Sequence, residues 1–283
     1  MNGASEAYPL LARHAAGRRV HVPSPTLGEY ERAFPQAERY DDDLNAGVDL
    51  TLLAARVGSG DLVVIVNPNN PTGTTLASDA LVAFARERPD VLVLIDESFI
   101  DFTTMTSVIA LLEKDGPAAP ANVIVLKSLS KCWGMPGLRL GFMWSTNAPW
   151  QTRVDNELPI WNVNALAERV IELVLKHKDA LASSFVQSRA DRDAFVLGLR
   201  QLARDRPGLV VDEGGGNFVV LRVGSAALAT RVTERLLQEA CIWVKDLAPK
   251  VAGGALRLAV RTPAENARLV DTLATILDEE ARS

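Results

Sequence analysis

Lys131 sits in a turn of small residues, Lys127 to Lys131, between two runs that read as buried strands, Val123 to Leu126 and Leu138 to Phe142. An ammonium group there is expensive unless it is paired or used chemically. Ser128 and Ser130 lie just upstream of it, and Arg139 eight residues downstream. Two hydroxyls and a guanidinium converging on a lysine describe a phosphate pocket beside an amine. A turn lysine pointing at solvent is the plainer alternative. Asp96 is the second candidate, because it closes the apolar run Val91 to Ile95. A carboxylate at the end of a buried strand is costly unless it meets a cation, although a strand-end cap is also possible. The third is Asn67-Pro68-Asn69-Asn70-Pro71-Thr72-Gly73, which follows the apolar strand Asp61 to Val66. It reads as a proline-locked turn at a strand's carboxyl end, where open α/β sheets place their ligands. A plain turn explains its prolines and glycine but not three asparagines.

These residues need elements to hold them. Asn2 to Glu6 precedes a helix pattern, Ala7 to Ala16, whose free N–H groups offer an anion site, with a simple cap at Ser5 as the alternative. Val20 to Pro23 reads as a strand, and Pro25 to Tyr30 opens the next helix. Further helices are expected over Leu76 to Arg88, Met105 to Lys114, Ala165 to Lys176 (capped by Asn164) and Ala180 to Arg204. A smaller α+β lobe follows, with strands Leu209 to Asp212 and Phe218 to Leu221, a helix Ala226 to Glu239, and strands near Ile242 and over Leu256 to Thr262. Arg257 and Arg261 are four apart, so alternation puts both on one face of that last strand. Gly214-Gly215-Gly216, just before Asn217, lets backbone come close to something.

The chain's 283 residues, 48% of them hydrophobic, can bury a large core and divide into two lobes, 1–178 and 179–283. A net charge of −5 with no basic block argues against nucleic acid or an anionic membrane as partner. No apolar run approaches the ~20 residues of a membrane helix, and the N-terminus lacks the pattern of a signal peptide. Cys132 and Cys241 make no disulfide framework, which suits the cytoplasm. His14, His21 and His177 show no ligand spacing, so no metal site is expected.

Ser-Leu-Ser-Lys at 128–131, followed by Gly-Leu-Arg-Leu-Gly at 137–141, resembles the cofactor-lysine segment of fold-type I pyridoxal-phosphate enzymes. The branch is the class I/II aminotransferases, and the motifs are nearest to threonine-phosphate decarboxylases and histidinol-phosphate aminotransferases. The resemblance covers most of the chain. It implies a mostly parallel central sheet with flanking helices in the large lobe, and a homodimer. It implies that Lys131 forms the Schiff base and then shuttles the proton at the substrate carbon. Asp96 would keep the pyridine nitrogen protonated, and Asn70 would donate to the phenolic oxygen. Gly3, Ala4, Ser5, Ser128, Ser130 and Arg139 would hold the cofactor's phosphate.

Leu27 stands where relatives usually carry a stacking ring, which implies a weaker hold on the cofactor. Phe99 stands where aminotransferases have tyrosine, as in the threonine-phosphate decarboxylases, and this implies a raised pKa at the Schiff-base nitrogen. Cys132 reads as packing. The loop Leu158 to Asn164 resembles a loop near the substrate, or is an inter-lobe linker with a buried tryptophan. Asn164, Asn217, Arg257 and Arg261 would face the substrate, Arg257 clamping its α-carboxylate. A second arginine implies a second anion, a phosphate or phosphonate, unless Arg261 is a solvated edge residue. The implied reaction is transamination or decarboxylation of a small amino acid carrying that anion. Relatives have an arm before the Asn2 segment, so a truncated or degenerate homologue, or one completed by another chain, is the alternative.

Overall fold

The computed structural model describes residues 1–282. Its larger sheet contains β1 (Val20–Ser24), β2 (Glu38–Asp41), β3 (Leu62–Val66), β4 (Leu92–Asp96), β5 (Val123–Ser128) and β6 (Gly141–Ser145) in the order β2-β1-β3-β4-β5-β6. All neighbours are parallel except β5 and β6. Parallel strands need covered faces, and alternate residues supply both covers. Leu62, Val64, Val66, Ile124 and Leu126 pack to one side, and Val63, Ile65, Val123 and Val125 to the other. The carboxyl ends of β3, β4 and β5 therefore emerge together from a dry interior.

The second sheet is antiparallel throughout, with order β7-β8-β10-β9: β7 (Val210–Asp212), β8 (Phe218–Arg222), β9 (Lys245–Asp246) and β10 (Ala255–Ala259). The helices Lys178–Ala203, Ala226–Ala240 and Pro263–Glu280 share its core through Leu199, Val232 and Leu273. The two lobes touch backbone to backbone, where the Gly215 amide donates to Gly73 O at 2.7 Å. A Cβ on Gly214 would stand 2.8 Å from Gly73 Cα, so the glycine run is a close approach, as expected.

Several boundaries differ from the sequence reading. The strand expected from Leu138 begins at Gly141, because Pro136–Leu138 form a 3₁₀ turn and Arg139 is left-handed at φ 53°. That turn reverses the chain, which is how a short connection makes β6 antiparallel. The helix expected from Met105 starts at Val108, where Ser107 caps it and Glu97 accepts from the Val108 amide at 2.7 Å. The strand placed near Ile242 is Lys245–Asp246, since Cys241 caps the preceding helix in a left-handed conformation. The run placed over Leu256 to Thr262 ends at Ala259. Thr262 and Glu265 form a capping box for the last helix and draw the chain out of the sheet.

Candidate active site

Three loops leave the carboxyl ends of β3, β4 and β5 and meet. After β3, Asn67 and Leu76 exchange two hydrogen bonds of 2.9 Å, and Asn69 donates to Pro25 O at 2.8 Å and to Asp42. Those two asparagines hold the loop. Asn70 is left facing the small lobe, where its Oδ1 accepts from Arg257 Nη1.

After β4, Asp96 is 2% exposed. Its Oδ2 accepts from the Tyr30 hydroxyl at 2.9 Å and its Oδ1 from the Ser98 amide at 2.9 Å. Ser98 Oγ in turn accepts from the Ser128 amide at 3.1 Å, tying this loop to the lysine turn. After β5, Leu129–Cys132 make one helical turn that lifts Lys131 over Phe99, its Nζ 4.3 Å from the ring centroid. Burial pulls the Lys131 pKa below that of an ordinary lysine; Asp96 opposes this, and the positive Arg257 adds to it. Cys132 packs with Phe99, Phe102 and Phe218, and burial pushes its thiol up to about 12.

Arg257 enters from β10. Its guanidinium lies 5.2 Å from the Phe218 ring centroid, and burial lowers its pKa. Lys245 is its register partner on β9, so both side chains leave the sheet on the same face. Arg261 does not join them. It lies two residues beyond β10, its side chain is 66% exposed, and its Nη2 donates to Glu265 at 2.9 Å. The shared strand face expected for the two arginines is therefore absent.

The N-terminal turn supplies the other half of the site. Arg139 Nη2 donates to Ser5 Oγ at 2.9 Å, and Gly3, at φ 88°, packs flat against the guanidinium. A Cβ on Gly3 would lie 2.4 Å from Nη2. Ala4 is buried beside them, and Ser128 is buried in register with Gly141 on the neighbouring strand. Ser130 is turned away from this cradle: its hydroxyl accepts from Leu140 N at 3.2 Å and donates to Leu140 O at 3.3 Å. Leu27 packs against the core at the start of the helix Gly28–Ala33. Asn164 caps the helix Ala165–Lys176 and donates to Leu138 O at 3.0 Å. Asn217 lies at the end of the glycine run, where its carbonyl accepts from the Val260 amide at 2.9 Å. Trp161, one alternative for which was burial in a linker, is 86% exposed.

The sequence reading missed Tyr30, Ser98, Lys245 and Gly141. The first three depend on long-range pairing and carry no local signal, whereas Gly141 sat inside the motif it had singled out.

Residues 1–273 match the family aminotransferase class I and II. The chain belongs to this family. Its members are enzymes that depend on pyridoxal 5'-phosphate. The chain is 33% identical to a CMP-5'-(3-aminopropyl)phosphonate synthase of Streptomyces rubellomurinus, over 98% of its own length and 44% of that protein's. It is 32% identical to histidinol-phosphate aminotransferase 1 of Burkholderia lata, over 96% of its own length and 74% of the relative's. The chain thus spans under half of the first relative and about three quarters of the second. A decarboxylase from Sulfurospirillum multivorans superimposes with a TM-score of 0.80 at 27% identity, covering 98% of this chain and 80% of that one.

The residues present fit the cofactor. A guanidinium, a hydroxyl and the bare Gly3 backbone form a cradle suited to a phosphate, and a half-buried amine and a buried carboxylate stand beyond it.

Proposed function

We propose that this chain is a pyridoxal-phosphate enzyme acting on a small amino acid with a second anionic group, a phosphate or phosphonate, by transamination or decarboxylation. One observation carries the reading. The half-buried Lys131 amine, over the Phe99 ring, feels the charges of a buried carboxylate, Asp96, and a guanidinium, Arg257, which come from different sheets.

In this reading Ser5, Arg139, Ser128 and the backbone of Gly3 and Ala4 bind the cofactor's phosphate. Asp96 keeps the ring nitrogen protonated, and Asn70 donates to the ring oxygen. Bound there, the cofactor supplies an electron sink for the bond broken at the substrate α-carbon. Arg257 orients the substrate carboxylate bidentately, and Lys245 on the same face offers a cation for the second anion. Asn164 and Asn217 lie at the rim. Lys131, whose lowered pKa leaves more free amine near neutrality, joins the cofactor and moves the proton at the α-carbon. Phe99 under the amine favours decarboxylation, because it offers no hydroxyl where most aminotransferases have one. The phosphonate and phosphate in the relatives' names support the second anion.

Division into lobes at 178/179 is supported by the helix that begins at Lys178 and packs on the smaller sheet. A homodimer is supported by exposed apolar side chains at Ile160, Trp161 and Leu166, which a second copy would cover. A cytoplasmic setting is supported by the unpaired state of both cysteines. None of the described helices is long and apolar enough to cross a membrane.

The test is the visible absorption spectrum with added pyridoxal phosphate, for the parent and for Lys131→Ala. A band in the parent that is lost in the variant is expected. O-phospho-threonine and histidinol phosphate are then supplied, and carbon dioxide is assayed against keto product. A parent that forms no band at saturating cofactor sinks the proposal in favour of a degenerate or partner-completed homologue.

A further inference from the structure

Tyr30 is 0% exposed, lies on the helix Gly28–Ala33, and directs its hydroxyl at Asp96 Oδ2 from 2.9 Å. A buried tyrosine hydroxyl needs only one acceptor, and a backbone carbonyl serves, as it does for Tyr40, which donates to Val64 O at 2.6 Å. Tyr30 is committed instead to the one carboxylate that the reading above assigns to the cofactor ring. With the Ser98 amide on Oδ1, it gives each Asp96 oxygen a fixed donor. The tyrosine is itself held: the Tyr8 ring meets it edge-on at 5.1 Å. Burial, and then the Asp96 charge, raise its pKa well above the ordinary value, so the hydroxyl stays a donor at every working pH.

We propose that Tyr30 is a positioning residue for Asp96: its hydroxyl fixes the orientation of the carboxylate toward the cofactor's ring nitrogen. The inference rests on the cofactor reading above. A donor on a carboxylate draws off negative charge. Without it, the carboxylate keeps only the Ser98 amide as a fixed donor, turns more freely and meets the ring nitrogen less well, so the ring becomes a weaker sink. The groups that set this balance are few. Lys131, Tyr30 and Tyr8 act electrostatically on Asp96, Arg257 and Cys132 on Lys131, Tyr8 on Tyr30 and Glu29 on Tyr8. Tyr40, the weakest influence on Tyr30, gives its own proton to Val64 O rather than to Asp96.

The test compares Tyr30→Phe with Tyr40→Phe, each the loss of one buried hydroxyl, in the full chain with pyridoxal phosphate. Two quantities are read: the pH midpoint of the Lys131-dependent visible band and the dissociation constant of the cofactor. Tyr30→Phe is expected to move the midpoint up by roughly one pH unit and to weaken cofactor binding about ten-fold, the size of one hydrogen bond to a charged group. Tyr40→Phe is expected to lower the melting temperature while leaving both quantities at parental values. A parental midpoint in Tyr30→Phe overturns the proposal and leaves the cofactor reading standing. So does the same shift in Tyr40→Phe, because loosened packing would then explain it. A parent without the band overturns the cofactor reading, and the proposal with it.

Discussion

Gly141→Ala probes the cradle most directly. Gly141 opens β6 opposite Ser128, and the N-terminal turn lies across it. The Met1 ammonium donates to Gly141 O at 3.0 Å, and the Gly141 amide donates to Met1 O at 3.3 Å. A Cβ there would stand 2.7 Å from Ala4 N, 2.9 Å from Lys127 O and 3.2 Å from Gly3 C. All three are backbone atoms, which no rotamer change can clear. The tightest contact is about 0.8 Å inside a comfortable separation of roughly 3.5 Å. The β5 backbone is buried on both sides, so the N-terminal turn must yield and carry Gly3, Ala4 and Ser5 away from Arg139. Overpacking of this kind costs about 1–3 kcal/mol. If that falls on the cradle, cofactor affinity drops roughly 5- to 150-fold. Gly137→Ala is the matched control, since a Cβ there meets nothing within 4 Å. Calorimetric titration with pyridoxal phosphate and with inorganic phosphate reads the effect, alongside the melting temperature. Parental affinity in Gly141→Ala, or an equal loss in Gly137→Ala, would refute the reasoning.

Arg257→Lys should raise KM for a phospho-amino acid by roughly ten-fold or more, because an ammonium cannot make the bidentate contact. Arg261→Ala should change it less than about two-fold, its side chain being exposed and paired to Glu265; the reverse ranking in steady-state kinetics would restore a substrate role for Arg261. Lys127 Nζ lies 2.9 Å from Asp101 Oδ1 with side chains 12% and 24% exposed, so Asp101→Asn should cost about 2 kcal/mol in urea unfolding, short of a fully buried pair. Lys127→Met added to it should recover part of that loss, and an unchanged midpoint in the single variant counts against the pair. The lowered Lys131 pKa means that the unfolded chain binds more protons between the folded value and the ordinary lysine value. Stability of the cofactor-free protein should therefore rise with pH across that window and lose this slope in Lys131→Met, as thermal melts at stepped pH would report.

The central strands, and the residues at their carboxyl ends, were legible in the sequence for one reason. Long apolar runs stay strands whatever surrounds them, and a charge that closes such a run needs a partner. Lys131 and Asp96 were found that way, Asn70 as one of three asparagines that a plain turn does not explain, and the small lobe's main helices from their periodicity. Spacing had already pointed to Arg139, and the family resemblance added roles for Gly3, Ser5 and Arg257; the fold brings Arg139, Gly3 and Ser5 together and sets the Arg257 charge near Lys131.

Tertiary structure decided the rest. Arg261 left the strand because a capping box at Thr262 outweighed the alternation of the preceding residues. Ser130 turned to Leu140 because the left-handed Arg139 brings that backbone within reach. Arg257 meets Asn70 across 187 positions and Tyr30 meets Asp96 across 66. Lys245 faces with Arg257 only through the register of β9 on β10. Period and propensity act over a few neighbouring residues, whereas these contacts exist only after two sheets have docked and fixed which side chains share a face.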